Sequence, residues 1–271
     1  MRTRVVLAAA ALLVAIFASA VHAQRFRSFG NLRVANEADF DGTFQFCRVY
    51  FQNGPYGDPN SGSWEVDFPR ADINLSIRLS EMTRTHVGRD AHGDPKTLIV
   101  RLTSPTLFSC PFVMMTEVGA ADLSAREIAG LREYLLKGGF LWADDFWGTE
   151  AWEWWAQVMS EILPGDEYPI IDLTPEHPLY HAQFTVRETP QIANIGHWSR
   201  YGDGRERGSD SPQANTRAVL DKHGNIMVLM THNSDFGDSF EREADDPSYF
   251  TENSVPGYAF GINTLLYALT H

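Results

Sequence analysis

The stretch that most constrains this chain is a helix that runs without a hairpin turn into a short buried strand. Ser124-Ala125-Arg126-Glu127 is a capping box, and Ile128, Leu131 and Leu135 form one apolar stripe behind it. Gly138 then supplies a left-handed stop, and Phe140 to Ala143 read as a strand. A strand entered from a helix needs a crossover, which favours a parallel sheet flanked by helices. Asp144 and Asp145 follow where this strand is expected to end. The carboxyl ends of strands are where open α/β sheets bind ligands, so the search for a site starts there.

The rest of the chain repeats the alternation. Phe44 to Phe51 alternates and is rich in aromatics, as a strand does, and a Gly/Pro/Asn loop from Asn53 to Ser63 follows it. Ile73, Leu75, Ile77, Leu79 and Met82 predict a helix, with Asp72 placed to cap it or to favour its dipole. Thr97 to Leu102 and Phe112 to Thr116 are further strands. Gly148-Thr149 opens a helix whose Trp152, Trp155, Met159 and Ile162 share a face, closed by Pro164-Gly165. The segment 166–215 is polar and rich in Pro and Gly, an excursion on the ligand side. His223-Gly224-Asn225 marks a hairpin between two apolar runs, and a helix from about Gly257 to Leu269 ends the chain. The domain reading is residues 1–23 as a signal peptide, 24–42 as an irregular lead-in, and 43–271 as a single α/β domain.

The signal peptide rests on Arg2 and Arg4, the apolar run Val5 to Ala20, and the small-residue site ending at Ala23. An uncleaved anchor would need about 20 apolar residues and different flanks. The expected location is therefore secreted or periplasmic, with no membrane span in the mature chain. Cleavage would reduce Lys+Arg from 22 to 20 against 35 Asp+Glu, leaving a formal charge of −15. So acidic a surface argues against nucleic acid as a partner. Cys47 and Cys110 allow one bridge or two buried thiols in equal measure.

Several motifs in order then carry a resemblance. They are Trp64-x-x-Asp67-x-Pro69-x-Ala71-Asp72-x-Asn74, Tyr134-Leu135-x-x-Gly138-Gly139-Phe140-Leu141-x-x-Asp144-Asp145, His177-Pro178-Leu179-Tyr180, Asn233-x-Asp235 and Gly261-Ile262-Asn263. From Phe44 onward the chain resembles the bacterial family called domain of unknown function 4159. That resemblance implies a class I glutamine amidotransferase-like fold, a flavodoxin-like three-layer α/β/α sandwich, and no established activity. Amidotransferases of that class carry a Cys nucleophile on a strand-to-helix elbow. Here the corresponding strand delivers Asp144 and Asp145, while Cys47 is mid-strand and Cys110 precedes a Pro. Glutaminase chemistry is not expected.

The expected catalytic or polar set is Asp144, Asp145, His232 and Asp235, which as carboxylates with an imidazole suit a divalent metal or acid/base work. Ligand contacts are expected from Arg48, Tyr50, Trp64, Asp67, Trp147, His177 and Asn233. Arg48 lies in a strand interior and needs an acidic partner, such as Asp67 or Asp145. Trp147 beside a cleft would suit a sugar ring. Three functions follow: a binder of a polar, carbohydrate-like small molecule, a hydrolase using Asp144, Asp145, His232 and Asp235 with or without a metal, or a module that meets cell-envelope proteins. No cofactor or metal is named by any spacing.

Overall fold

The computed structural model describes residues 33–271, and Ala35–His271 form one compact unit. The proposed signal peptide lies outside the described residues. The described residues form nine strands: β1 (Phe46–Tyr50), β2 (Gln52–Asn53), β3 (Thr97–Arg101), β4 (Phe112–Thr116), β5 (Ala121–Asp122), β6 (Phe140–Phe146), β7 (Ile170–Asp172), β8 (Asn215–Leu220) and β9 (Ile226–His232). The helices are α1 (Arg70–Met82), α2 (Ala125–Leu136), α3 (Gly148–Ile162), α4 (Ile195–Tyr201), α5 (Phe236–Glu241), α6 (Pro247–Tyr249) and α7 (Val255–Thr270), the last two joined through a π turn at Phe250–Ser254.

The main sheet runs β3-β1-β4-β6-β9-β8-β7. Its first five strands are parallel, and β8 and β7 close one edge antiparallel. β2 and β5 pair separately. The protein is thus α/β with a mostly parallel central sheet, compatible with a three-layer sandwich. Phe46, Phe112, Met114, Phe140, Trp142 and Leu229 point to one face, where they pack with Leu75 and Leu79 of α1, Phe236 and Phe240 of α5, and Phe260 and Leu265 of α7. Val49, Val113, Met115, Leu141 and Ala143 point to the other and are equally buried, as are Leu131, Leu135, Trp155 and Met159 of α2 and α3. Helices on both faces explain why the parallel strands are apolar throughout.

The local signals act as their chemistry requires. Ser124 and Glu127 form the reciprocal capping box, and Gly138 takes φ +92°. Tyr134 Oη donates to Cys110 O at 2.9 Å, tying α2 to the start of β4. Cys47 and Cys110 are joined in a disulfide, settling that open pair. The 166–215 segment is not wholly loop, since β7 adds an edge strand to the sheet. His177-Pro178 opens a 3-10 turn, with His177 Nδ1 accepting from Leu179 N at 3.2 Å.

Two expectations need correction. β6 extends to Phe146, with its register to β9 shifting between Ala143 and Phe146, so the two aspartates lie within the strand's last turns of backbone. Asp72 does not cap α1, whose N-cap position is Pro69 without a side-chain bond. Asp72 instead faces inward to Arg48, because a guanidinium inside a central strand must be matched by a buried anion.

Candidate functional site

The carboxyl ends of β4, β6 and β9 are adjacent, and each has a non-glycine residue in left-handed backbone, just after β4 and β9 and one residue before the end of β6. These are Glu117 (φ 58°), Asp145 (φ 54°) and Asn233 (φ 61°). Asp67, in the turn before α1, is the fourth, with φ 63°. Such backbone costs about 1–3 kcal/mol per residue and persists only where neighbours hold it. The holders are visible: Glu117 N donates to Asp144 O and Asn233 N to Phe146 O, both at 3.0 Å. Asn233 Oδ1 accepts from Gly148 N at 2.8 Å, and its Nδ2 donates to Gln213 O at 3.1 Å. Asn233 therefore braces the site rather than reaching into it.

The left-handed turn at Asp145 separates two side chains that the sequence places together. Asp144 is fully buried and accepts from Thr231 Oγ1 at 2.5 Å, Phe236 N at 3.0 Å and Gly237 N at 3.3 Å. Burial pushes it up to about 7 against the pull of those hydrogen bonds. It anchors the start of α5, so its role is to position that turn. Asp145 accepts from Trp147 Nε1 at 2.9 Å and turns toward Asp67 and Asp235. One oxygen from each of Asp67, Asp145 and Asp235 lies within 4.8 Å of the others. Asp235 also accepts from Asp238 N at 2.7 Å, as N-cap of α5.

The electrostatics of this trio are severe. Asp67 Oδ2 is buried with no hydrogen-bond partner. All three carboxyls are pushed well above the usual carboxylate range, by burial first and then by neighbouring carboxylates. Among the described residues no basic side chain pairs with any of them. Arg48, the nearest buried cation, is committed elsewhere: its Nε faces Asp72 Oδ2 at 3.4 Å, its Nη2 bonds Asp72 Oδ1, and its Nη1 donates to Thr116 Oγ1 at 2.9 Å. Asp67 and Asp145 are not its hydrogen-bond partners, contrary to expectation. A second acidic group, Asp67, Asp238 and Glu241, is partly neutralised by Arg242, which lies 3.2 Å from Asp238 and 2.9 Å from Glu241.

Two further carboxylates close on the trio. Glu117 is pushed up to about 7 by burial and accepts from Ser61 Oγ at 3.0 Å. A Cβ on Gly62 would sit 2.6 Å from Glu117 Oε1, so glycine there makes room for the carboxylate. Glu206 is raised by burial while accepting from Asn194 N at 2.6 Å, and its charge is felt at Asp145 and Asp235. Of the two, only Glu206 was unexpected from the sequence. Glu117 carries a signal in its place just after a strand, whereas nothing local marks Glu206. Arg207 next to it reaches Asp58 at 3.2 Å and clasps the loop after β2 to the loop after α4.

The remaining expected residues are dispersed. His232 is buried between Phe146 and Trp152, with ring centroids 5.1 and 5.5 Å away. Its Nδ1 accepts from Arg217 Nη1 at 3.3 Å and its Nε2 donates to Gly148 O at 2.9 Å, so both nitrogens are used. Burial lowers it to about 4, and it lies outside the converging carboxylates. Trp147 is buried at 4% exposure, so its ring offers no open stacking face. Trp64 is buried against Tyr50 and Phe68, and Tyr50 also lies under the Arg101 guanidinium at 4.4 Å. His177 packs on Tyr267, which lines a cavity of about 350 Å³ with Gly139, Phe140 and Asn225 at the opposite, amino-terminal edge of the sheet. His177 is therefore not among the ligand-side loops.

Comparison with known proteins adds one result. No curated protein matches the chain. The sequence profile of a domain of unknown function, DUF4159, matches residues 49–269, a span that contains every carboxylate of the converging trio. The chain therefore belongs to the DUF4159 family.

Proposed function

We propose that this protein is a binding protein for a polar, hydroxyl-rich small molecule held at the carboxyl edge of its sheet. The observation that carries this reading is the gathering of all four left-handed non-glycine residues at that edge, three of them carboxylates. Backbone strain of that kind collects where a constellation must be held in place. Ionised or shared carboxylates accept hydrogen bonds from hydroxyls, and their excess negative charge disfavours an anionic ligand.

The order of the five parallel strands is that of a flavodoxin-like sheet, which supports the glutamine amidotransferase-like sandwich as the finer fold. Glutaminase activity is no part of the proposal, because both cysteines are joined in the disulfide and neither offers a thiolate. That disulfide also supports an oxidising, secreted or periplasmic location for the mature chain. The hydrolase alternative is weaker: it relied on His232, whose two nitrogens are occupied inside the fold. An envelope interaction module has no specific surface feature in its favour.

A thermal-shift screen of neutral mono- and oligosaccharides, run in EDTA and again with calcium chloride, tests the reading. At least one sugar is expected to raise the melting temperature of the wild type and to leave Asp145→Asn unmoved. A flat response of the wild type to every sugar would sink the proposal.

A further inference from the structure

We propose that Asp67, Asp145 and Asp235 are ligands of a hard divalent cation of the calcium or magnesium class. The proposal deepens the polar-ligand reading by naming a charged group at the same site. Four independent observations support it. Oxygens on one calcium ion lie at most about twice the 2.3–2.6 Å bond length apart, and the three ligand oxygens fall within 4.8 Å of one another. The donors are all carboxylate, without the thiolate or imidazole that favours zinc or copper. Of the two histidines expected at the site, His232 faces Gly148 and Arg217 instead, and His177 packs on Tyr267.

The third observation is the unpartnered oxygen. Asp67 is 9% exposed, and its Oδ2 is buried without a donor. Leaving a buried carboxylate oxygen unmatched is costly, and a cation in the cluster would match it. The fourth is charge balance. Arg48 is hydrogen-bonded to Asp72, and Arg242 serves Asp238 and Glu241, so among the described residues no basic side chain forms an ion pair with the trio, and the charge of Arg48 offsets Asp67 alone without bonding to it. The arrangement is held before any ion arrives, because Asp67 and Asp145 are fixed in left-handed backbone and Asp235 is tied to Asp238 N. The rival account is a purely structural cluster of protonated carboxyls sharing hydrogen bonds.

The two accounts separate by titration of EDTA-stripped protein with calcium, magnesium or zinc chloride, with no organic ligand present. One calcium or magnesium ion per chain is expected to bind with a Kd below about 1 mM, the weak end for calcium sites. Trp147, whose indole donates to Asp145, provides a second readout in the wild type. Terbium should show tryptophan-sensitised emission that calcium displaces. Asp67→Asn and Asp235→Asn should each weaken calcium or magnesium binding at least tenfold. Asp67→Asn should also melt no lower than the wild type in EDTA, since it removes a repelling charge.

The proposal is overturned if neither calcium nor magnesium binds and no displaceable terbium emission appears, if zinc alone binds, or if both variants bind as the wild type does. The outcome is distinct from that of the sugar screen. A sugar that binds in EDTA while no ion binds removes the cation alone, whereas ion binding with a flat sugar screen removes the polar-ligand reading alone.

Discussion

The Cβ that Gly237 lacks would lie 2.1 Å from Oδ2 of Asp67. Glycine at the first turn of α5 is what allows the unpartnered carboxylate to sit against that helix. Gly237→Ala is expected to displace Asp67, to cost roughly 1–3 kcal/mol as other overpacking changes do, and to weaken cation binding. Gly165, where an added Cβ meets nothing within 4 Å, is the control. Gly165→Ala should stay within about 0.5 kcal/mol of the wild type. Urea melts and calcium titration of both variants check this.

Arg48 and Asp72 form a fully buried ion pair between β1 and α1. Asp72→Asn strands the guanidinium and should cost about 3–5 kcal/mol. Replacing both, as Arg48→Met with Asp72→Leu, should recover most of that loss, because an apolar pair needs no desolvated charges. Denaturant midpoints of the single and double variants decide it. A double variant no better than the single would show that Thr116 or the surrounding carboxylates depend on Arg48 itself.

The carboxylate cluster sets an unusual pH dependence. Burial raises Glu117 and Asp144 to about 7, and Asp67, Asp145 and Asp235 are raised in the same direction by burial and by neighbouring carboxylates. Groups with raised folded values stabilise the fold below their unfolded values, and that stability is lost as pH rises through the folded ones. His232, lowered to about 4, acts oppositely: its contribution is present above its unfolded value and is lost as pH falls. Five carboxyls outweigh one imidazole. In EDTA the melting temperature should therefore rise as pH falls from about 7 to about 5, between the folded values of Glu117 and Asp144 and the ordinary carboxylate range. Asp145→Asn should reduce that slope, and saturating calcium should flatten it.

The disulfide closes a loop with a sequence separation of 63. Replacing both cysteines by serine should cost roughly 2–4 kcal/mol, since the unfolded chain regains the freedom the bridge removes. Thiol labelling of the native wild type should find no free thiol before reduction.

Much of the fold was legible because its signals are local. The Ser124–Glu127 box, the stop at Gly138, the hairpin at Gly224 and the alternating strands depend on neighbours a few residues away. The site was legible only in part. Asp144 and Asp145 could be placed at a strand end, and Asp67 and Asp235 could be named, but adjacency suggested a shared role that the left-handed turn at Asp145 divides. Asp144 became an anchor for α5, and Asp145 a member of the trio. His232 and Trp147 looked functional by residue type, yet burial and hydrogen bonding take both out of open reach.

What the amino-acid sequence determined by itself is the alternation of strands and helices, the helix ends, and the acidic character of the strand tips. These follow from periodicity and turn chemistry acting over one or two turns of chain. Only the tertiary structure decided that Arg48 belongs to Asp72, that Cys47 meets Cys110, and that Asp67, Asp145 and Asp235 share one point. Each of those depends on which strand lies beside which and on where a left-handed residue aims its side chain. A buried charge chooses its partner by distance in space, and the folded chain alone sets that distance.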